Sequence, residues 1–471
     1  MITPRTPTLA LFALLAGAAP VHAAALPPRI AQVLHNQGFP ASAVSIVVRD
    51  PTRAETLLEL NPDVPRAPAS TIKVLTTYAA LARLGPVFHW TTRAWTSAPV
   101  VDGTLAGDLV IEGGGDPAMS AERWWRFAQE LRNRGLRRIE GDLVLDRSRY
   151  EDQDADVDEF DGRGWRTYNV LPDALLVNLQ AADFHVVAER GHARVRVDPE
   201  PANLQVEDAV QVGSGPCTQS LRPLSFSTPS GDPDRIRIEG RVAPGCPAEA
   251  RRVIMRAPDF AYGTFLTYWR ELGGEFNGAL RLARRPAGAR LYAEFESLPL
   301  AEVIRLVNKH SSNAMARTLL LTLAAERGEA PATVAGGERA IADWLASQGL
   351  TLPGLVLDNG SGLSRRARIT AGGMAAVLNA ARASPWWPEL AASVPIGGVD
   401  GTLHHRFVDL AQEGRIRMKT GHLGDVGAIA GWVTARSGRQ LSVVVMINHP
   451  GAEFGGGEAV IDTIVRWAID R

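Results

Sequence analysis

The 471-residue chain almost lacks lysine. Only Lys73, Lys309 and Lys419 carry it, and the other 47 basic residues are arginine. Surface charge is thus left to a group that keeps its proton in any protein site, whereas a lysine can give its proton up where the surroundings favour it. Each lysine therefore needs a local reason. The chain also lacks a charge excess: a formal net charge of −1 carries no signal for a polyanion, so no nucleic-acid partner is expected. After the N-terminus no apolar stretch reaches the about 18 residues that cross a bilayer. The glycine run Gly113-Gly114-Gly115 has no trailing Gly-Lys-Ser/Thr, which excludes a phosphate loop there. No His-Glu-x-x-His occurs, and the adjacent His404 and His405 face opposite ways on a strand. No metal and no cofactor are expected.

Residues 1–25 read as a secretory signal, with Arg5 as the positive end, an apolar run from Leu9 to Ala19 and small residues at Ala23-Ala24-Ala25. The expected product is exported and carries no transmembrane anchor. Two cysteines, Cys217 and Cys246, suit that destination, since they can pair outside the cytosol. By the chain-entropy estimate such a crosslink is worth roughly 3 to 4 kcal/mol.

The texture of the chain changes in blocks. Strand patterns at Ala43–Arg49 and Leu57–Leu60 precede an apolar helix that ends at Gly85-Pro86. Short strands and turns follow, with helices over Ser120–Arg134 and Asp259–Leu272. Alternating Val and Arg between 170 and 255 predict a small all-β unit that contains both cysteines. Helices over Leu298–Lys309, Asn313–Glu326 and Glu338–Ser347 come next. The tail returns to strands at Arg415–Lys419, Ala428–Ala435 and Gln440–Asn448, and ends in a helix over Glu458–Asp470. Both ends supply strands, so they are expected to build one sheet with the middle inserted.

All three lysines stand in or beside short polar motifs. Ser70-Thr71-Ile72-Lys73 opens the first helix, and residues three apart on a helix are neighbours, so hydroxyl and amine share a face. A serine becomes a nucleophile when a base takes its proton, and a lysine serves if its pKa is lowered. Beside Lys309 is Ser311-Ser312-Asn313, and Lys419 opens Lys419-Thr420-Gly421. Alone, Ser-x-x-Lys is weak. Ser-x-x-Lys, Ser-x-Asn and Lys-Thr-Gly in this order are the motif set of penicillin-binding proteins and serine β-lactamases.

The separations narrow the resemblance. Ser70 and Ser311 are 241 positions apart, which resembles the low-molecular-mass class C penicillin-binding proteins, the D-alanyl-D-alanine carboxypeptidases and endopeptidases of peptidase family S13. Gly114-Gly115-Asp116-Pro117, Asn359-Gly360-Ser361-Gly362-Leu363-Ser364-Arg365, Gly398-Val399-Asp400-Gly401-Thr402-Leu403 and Gly421-His422-Leu423 are similar to phrases of that family. His422 departs from it, since relatives usually carry Thr or Ser there.

The resemblance implies an α/β (α+β) fold, a transpeptidase-like catalytic domain over 26–93 and 291–471. An inserted domain is expected over 94–169 and 256–290, with a β-rich domain over 170–255 nested in it. It implies Ser70 as nucleophile, Lys73 as base, Ser311 as proton relay and Asn313 as a bridge between Lys73 and the substrate peptide. Lys419 and Thr420 suit the substrate's terminal carboxylate, Gly421 lets the substrate approach the backbone, and the N–H groups of Ser70 and His422 are the oxyanion donors. Asp146 and Arg365 are candidates for a charged stem-peptide side chain such as that of diaminopimelate. Expected partners are peptidoglycan pentapeptides, crosslinked muropeptides and inhibitory β-lactams, met in the periplasm. A β-lactamase or esterase of the same fold and a non-catalytic wall-binding scaffold are the rival readings.

Overall fold

The computed structural model describes residues 26–471 apart from 154, 190, 215, 216, 218–223 and 233. The signal-like stretch 1–25 lies outside the described residues. Strands from both ends of the chain form one antiparallel sheet in the order Ile416–Leu423, Val426–Thr434, Gln440–Asn448, Val44–Asp50, Glu55–Leu60. The central strands are apolar at nearly every position because both faces are covered. Side chains alternate across a strand, so Val47, Val444 and Met446 join one core while Val44, Ile46, Val443 and Val445 join the other. Against the first face lie the helices Lys73–Leu84, Leu300–His310, Asn313–Ala325, Val334–Ser347 and Ala371–Ala383; against the second lie Pro28–Asn36 and Gly456–Ile469.

The Lys73–Leu84 helix runs through the middle of the helical layer and is buried from Lys73 to Leu81. A helix buried all round has no polar stripe, so its hydroxyls find partners inside: Thr77 Oγ1 donates to the Lys73 carbonyl (2.7 Å) and Thr76 Oγ1 to that of Gly360 (2.7 Å). Its first residue therefore carries an ammonium group into the core. Gly85, at φ 79°, ends the helix in a conformation that a residue with a Cβ adopts at a cost.

The insertion holds a five-stranded sheet in the order Leu280–Leu282, Leu143–Asp146, Leu109–Glu112, Thr91–Thr96, Arg290–Glu296. Helices Ala121–Asn133 and Ala257–Glu271 pack on it through Trp124, Phe127, Phe265 and Trp269. Thr91–Thr96 pairs with Arg290–Glu296, so this sheet straddles the expected boundaries at 94 and 290. Nested within it are two three-stranded sheets between Ala181 and Val253. Cys217 and Cys246 are bonded there, with Cα atoms 5.3 Å apart.

Residues 147–176 differ from the expectation that 94–169 stays with the insertion. They run back over the helical layer of the central sheet, where Tyr150 Oη meets Thr322 Oγ1 (2.9 Å), Ala332 N donates to Arg149 O (2.9 Å) and Arg317 Nη1 donates to Val170 O (3.2 Å). This segment is rich in Asp and Arg and has no apolar period. Its backbone is held by individual hydrogen bonds, which leave no pattern in a sequence.

Candidate active site

The turn that carries Ser70 is built by close approach of three pieces of backbone. Ala69–Ile72 form a tight 3-10 turn, and regular α-helix begins at Lys73, whereas the spacing predicts an α-helix opened by Ser70. Ala69 has φ 46°, a left-handed conformation that costs a residue with a Cβ about 1–2 kcal/mol. Two glycines hold it there. A Cβ at Gly421 would lie 2.7 Å from Pro68 O and 3.1 Å from Ser70 N, and one at Gly362 would lie 1.9 Å from Ala69 O. Any side chain at either position would push the turn away, which gives Gly421 a role beyond the expected one of admitting substrate.

Lys73 Nζ donates to Ser70 Oγ (2.8 Å), Asn313 Oδ1 (2.7 Å) and Ser361 O (2.5 Å). The third acceptor comes from the tight loop at Gly360-Ser361-Gly362, with φ of 70° and 78° at its glycines. Asn313 Nδ2 donates to Tyr168 O (3.0 Å), so the amide joins Lys73 to the segment that runs back from the insertion. This protein carbonyl takes the position expected for a substrate peptide. Ser311 caps the Leu300–His310 helix at φ 58°, and that kink presents its hydroxyl to Lys419 Nζ at 2.9 Å. Lys419 Nζ donates also to Thr420 O (2.7 Å).

All the acceptors around Lys73 and Lys419 are neutral. Among the described residues the lysine ion pair is that of Lys309 with Asp400, at 2.7 Å. Burial drives Lys73 well below the usual lysine range, with the Lys419 and Arg317 charges adding to it. Burial alone brings Lys419 down to about 7. A lysine in such a setting can act as a base at neutral pH. The second cation expected to push on Lys73 is in place, yet it is itself poised to titrate rather than fixed as a positive charge.

The expected pair Asp146 and Arg365 is not brought together. Asp146 ends a strand of the insertion, is buried, and accepts from Ser148 N (3.0 Å) and Arg285 N (2.6 Å). Its carboxylate is shared between its own turn and the main chain just after the Leu280–Leu282 strand. Arg365 lines a cleft of ≈570 Å³ with Phe160, Asn169, Arg317 and Asp358; its guanidinium lies 4.7 Å from the Phe160 ring and 3.3 Å from Asp425. His422 has an exposed side chain and follows Gly421 on the edge strand. Thr420 Oγ1 meets Thr402 Oγ1 at 2.7 Å.

Sequence reasoning missed the Ser361 and Tyr168 carbonyls, Arg317 and Thr402. Ser361 and Thr402 lie within phrases that stood out for their resemblance. Arg317 sits four residues after Asn313, on the same helix face. Tyr168 carried no signal, because a main-chain contact is indifferent to its side chain.

A model of the D-Ala-D-Ala carboxypeptidase 3 (S13) family matches residues 26–470. The chain belongs to the S13 family. The match includes both inserted parts and begins just after the signal-like stretch. D-alanyl-D-alanine carboxypeptidase DacB of Haemophilus influenzae is 26% identical to this S13 protein over 416 residues, covering 86% of this chain and 85% of the relative. The D-alanyl-D-alanine carboxypeptidase of Actinomadura sp. is 28% identical over 440 residues, covering 89% and 80%. The crystal structure of penicillin binding protein 4 (dacB) from Haemophilus influenzae superposes with a TM-score of 0.76 at 24% identity, covering 94% of the S13 chain and 99% of that structure. It has the same fold, a penicillin-binding, β-lactamase-like domain with inserted domains.

Proposed function

We propose that this S13 protein is a serine-type D-alanyl-D-alanine carboxypeptidase that also splits crosslinked stem peptides as a DD-endopeptidase, through an acyl-enzyme on Ser70 that penicillin forms as well. The observation that carries it is the continuous run of short contacts from Ser70 through Lys73 to Asn313, beside the Ser311–Lys419 pair. Ser70 Oγ attacks the carbonyl between two D-alanines, and its proton passes to Lys73 Nζ. The negative charge on the tetrahedral oxygen meets the N–H groups of Ser70 and His422. Ser311 passes a proton to the leaving amine as the C–N bond breaks. Water then cleaves the ester and returns Ser70 to its hydroxyl form.

Lys419 and Thr420 receive the substrate's terminal carboxylate. That carboxylate supplies the counter-charge which no described side chain gives Lys419, so docking raises the Lys419 pKa and strengthens its positive field on Lys73. Arg365, without Asp146, is the candidate for a charged group on the stem peptide, in the cleft it lines with Phe160 and Asp358. Peptidoglycan pentapeptides and crosslinked muropeptides are the substrates of this reading, and the periplasm is the place. The Cys217–Cys246 bond supports an oxidising compartment. Among the described residues no helix is long and apolar enough to cross a membrane.

Digestion of purified muropeptides, followed by mass spectrometry, tests the function. Monomers should lose D-alanine and crosslinked dimers should split, and penicillin should block both. Turnover of penicillin at the rate of a β-lactamase, with muropeptides untouched, would overturn the reading. Peptide mapping after penicillin labelling should place the adduct on Ser70; an adduct on Ser311 or Ser361 would reassign the nucleophile.

A further inference from the structure

Lys309 lies outside the chain of proton-transfer contacts, yet it is one of only three lysines in a chain that otherwise writes arginine. Its side chain is 5% exposed, and its ammonium donates to both carboxylate oxygens of Asp400 (2.8 and 2.7 Å) and to Val394 O (2.7 Å). Three acceptors around one point suit a compact ammonium and would not suit a planar guanidinium. Asp400 Oδ1 also accepts from Ile396 N (2.8 Å). One carboxylate thus ties the end of the Leu300–His310 helix to the segment 394–400.

That segment is fastened to the strand that carries Lys419 and Thr420. Met418 N donates to Pro395 O (3.0 Å), and Gly397 N donates to Ile416 O (3.1 Å). After Asp400 the chain turns at Gly401, φ 56°, where a Cβ would lie 2.8 Å from Lys309 O. The turn is pressed against the end of the lysine's own helix. The next residue is Thr402, whose hydroxyl meets the Thr420 hydroxyl at 2.7 Å. Thr402 Oγ1 therefore sits at the end of a rigid path that starts at Lys309 and passes through Asp400.

We propose that the Lys309–Asp400 ion pair is a positioning device: it holds the Gly401-Thr402 turn so that Thr402 orients the Thr420 hydroxyl toward the carboxylate of the substrate. This rests on the reading that Thr420 receives that carboxylate. Neither Lys309 nor Asp400 touches the reacting atoms. Their effect is confined to how well an anionic acyl donor is held.

The test uses the full exported protein and two acylating reagents, a penicillin and the methyl ester of the same penicillin. Asp400→Asn should lower the second-order acylation rate for the carboxylate form by about 10- to 100-fold, the scale of a small misplacement, and leave the ester rate near wild type. Thr402→Val should reproduce that selective loss and Thr402→Ser should restore it. In a Thr402→Val background, Asp400→Asn should add nothing. Equal losses on both reagents, or an unchanged penicillin rate, would overturn the proposal. Should Asp400→Asn fail to fold, the Thr402→Val and Thr402→Ser pair decides alone. Thr420→Val separates the two layers. If it does not discriminate between the reagents, the carboxylate reading of Thr420 falls and takes the proposal with it. If it discriminates while Thr402→Val does not, only the positioning role falls.

Discussion

Lys73 and Lys309 are both buried, and each stands at one end of a helix in the same layer, but they meet opposite surroundings. Lys73 has a hydroxyl, an amide oxygen and a main-chain carbonyl around it; Lys309 has a carboxylate. Burial lowers both pKa values; Asp400 pulls that of Lys309 only part of the way back, whereas Lys419 and Arg317 press that of Lys73 further down. The same residue type is thus given the lowered pKa that a base requires at one end of the site and held in an ion pair at the other. The difference lies in whether an acid was placed within reach. Lys419 belongs with Lys73 in this respect, since both acceptors of its ammonium are neutral.

The sharpest break of this comparison is Lys73→Arg. A guanidinium keeps its proton, so the proposed general base is replaced by a permanent charge, and acylation by penicillin should fall about 10²- to 10⁴-fold. Second-order labelling rates measure it. A near-normal rate would return the Ser70 proton to some other group.

Lys419→Met should separate activity from stability. With a folded-state pKa of about 7 against about 10.4 in an unfolded chain, the unfolded state binds more protons between these values, so this lysine costs stability below about pH 7 and the cost fades as pH rises toward about 10. At neutral pH that amounts to about 3 to 5 kcal/mol. The Met variant should therefore acylate poorly yet unfold at higher denaturant, with a flatter rise of stability from pH 7 to 10. A loss of stability at pH 7 in this variant would contradict the electrostatic account. Reduction of Cys217–Cys246 gives the converse case. It should remove roughly 3 to 4 kcal/mol by the chain-entropy estimate, through the nested domain, while labelling of the still-folded protein proceeds as before.

How much of this was legible follows from the kind of contact each part uses. The central sheet, with strands from both ends, could be read because apolar alternation and turn residues repeat over many positions, and Ser70, Lys73, Ser311, Asn313 and Lys419 stood out as motifs with few lysines to confuse them. The 3-10 turn at Ala69 could not be read, since the force that holds it is the approach of Gly421 and Gly362 from distant segments. Tyr168, which meets the Asn313 amide through its carbonyl, was invisible for the reason that its side chain plays no part. The sequence could not show that Asp146 accepts from two main-chain N–H groups, one in its own turn and one at Arg285, because a strand-end aspartate is as well suited to closing a turn as to meeting a ligand. Lys309 was the subtlest case. Its nearness to Ser311 in sequence placed it beside a motif without giving it a role, and the structure delivers it to Asp400.

The smallest expected effect tests that last point. Lys309→Met keeps the apolar stem and removes the ammonium, leaving Asp400 with Ile396 N as its remaining hydrogen-bond donor. Stranding one partner of a fully buried pair costs about 3–5 kcal/mol, but the Asp400 side chain is 30% exposed and water can take over part of the task, so about 1 to 3 kcal/mol is expected. The sign is opposite to that of Lys419→Met, because this lysine is paired and that one is not. The Asp400 carboxyl is held below its usual pKa because hydrogen bonds from Lys309 and Ile396 N outweigh the burial that would raise it. In the wild type the pair's contribution is therefore lost as pH falls through the lowered Asp400 value, and the Met variant should lose less over that acid range. Urea unfolding at neutral and acid pH measures both quantities. If Lys309→Met stabilises the protein as Lys419→Met does, the Asp400 pairing does not offset the burial of the ammonium, and the contrast between the two kinds of lysine collapses.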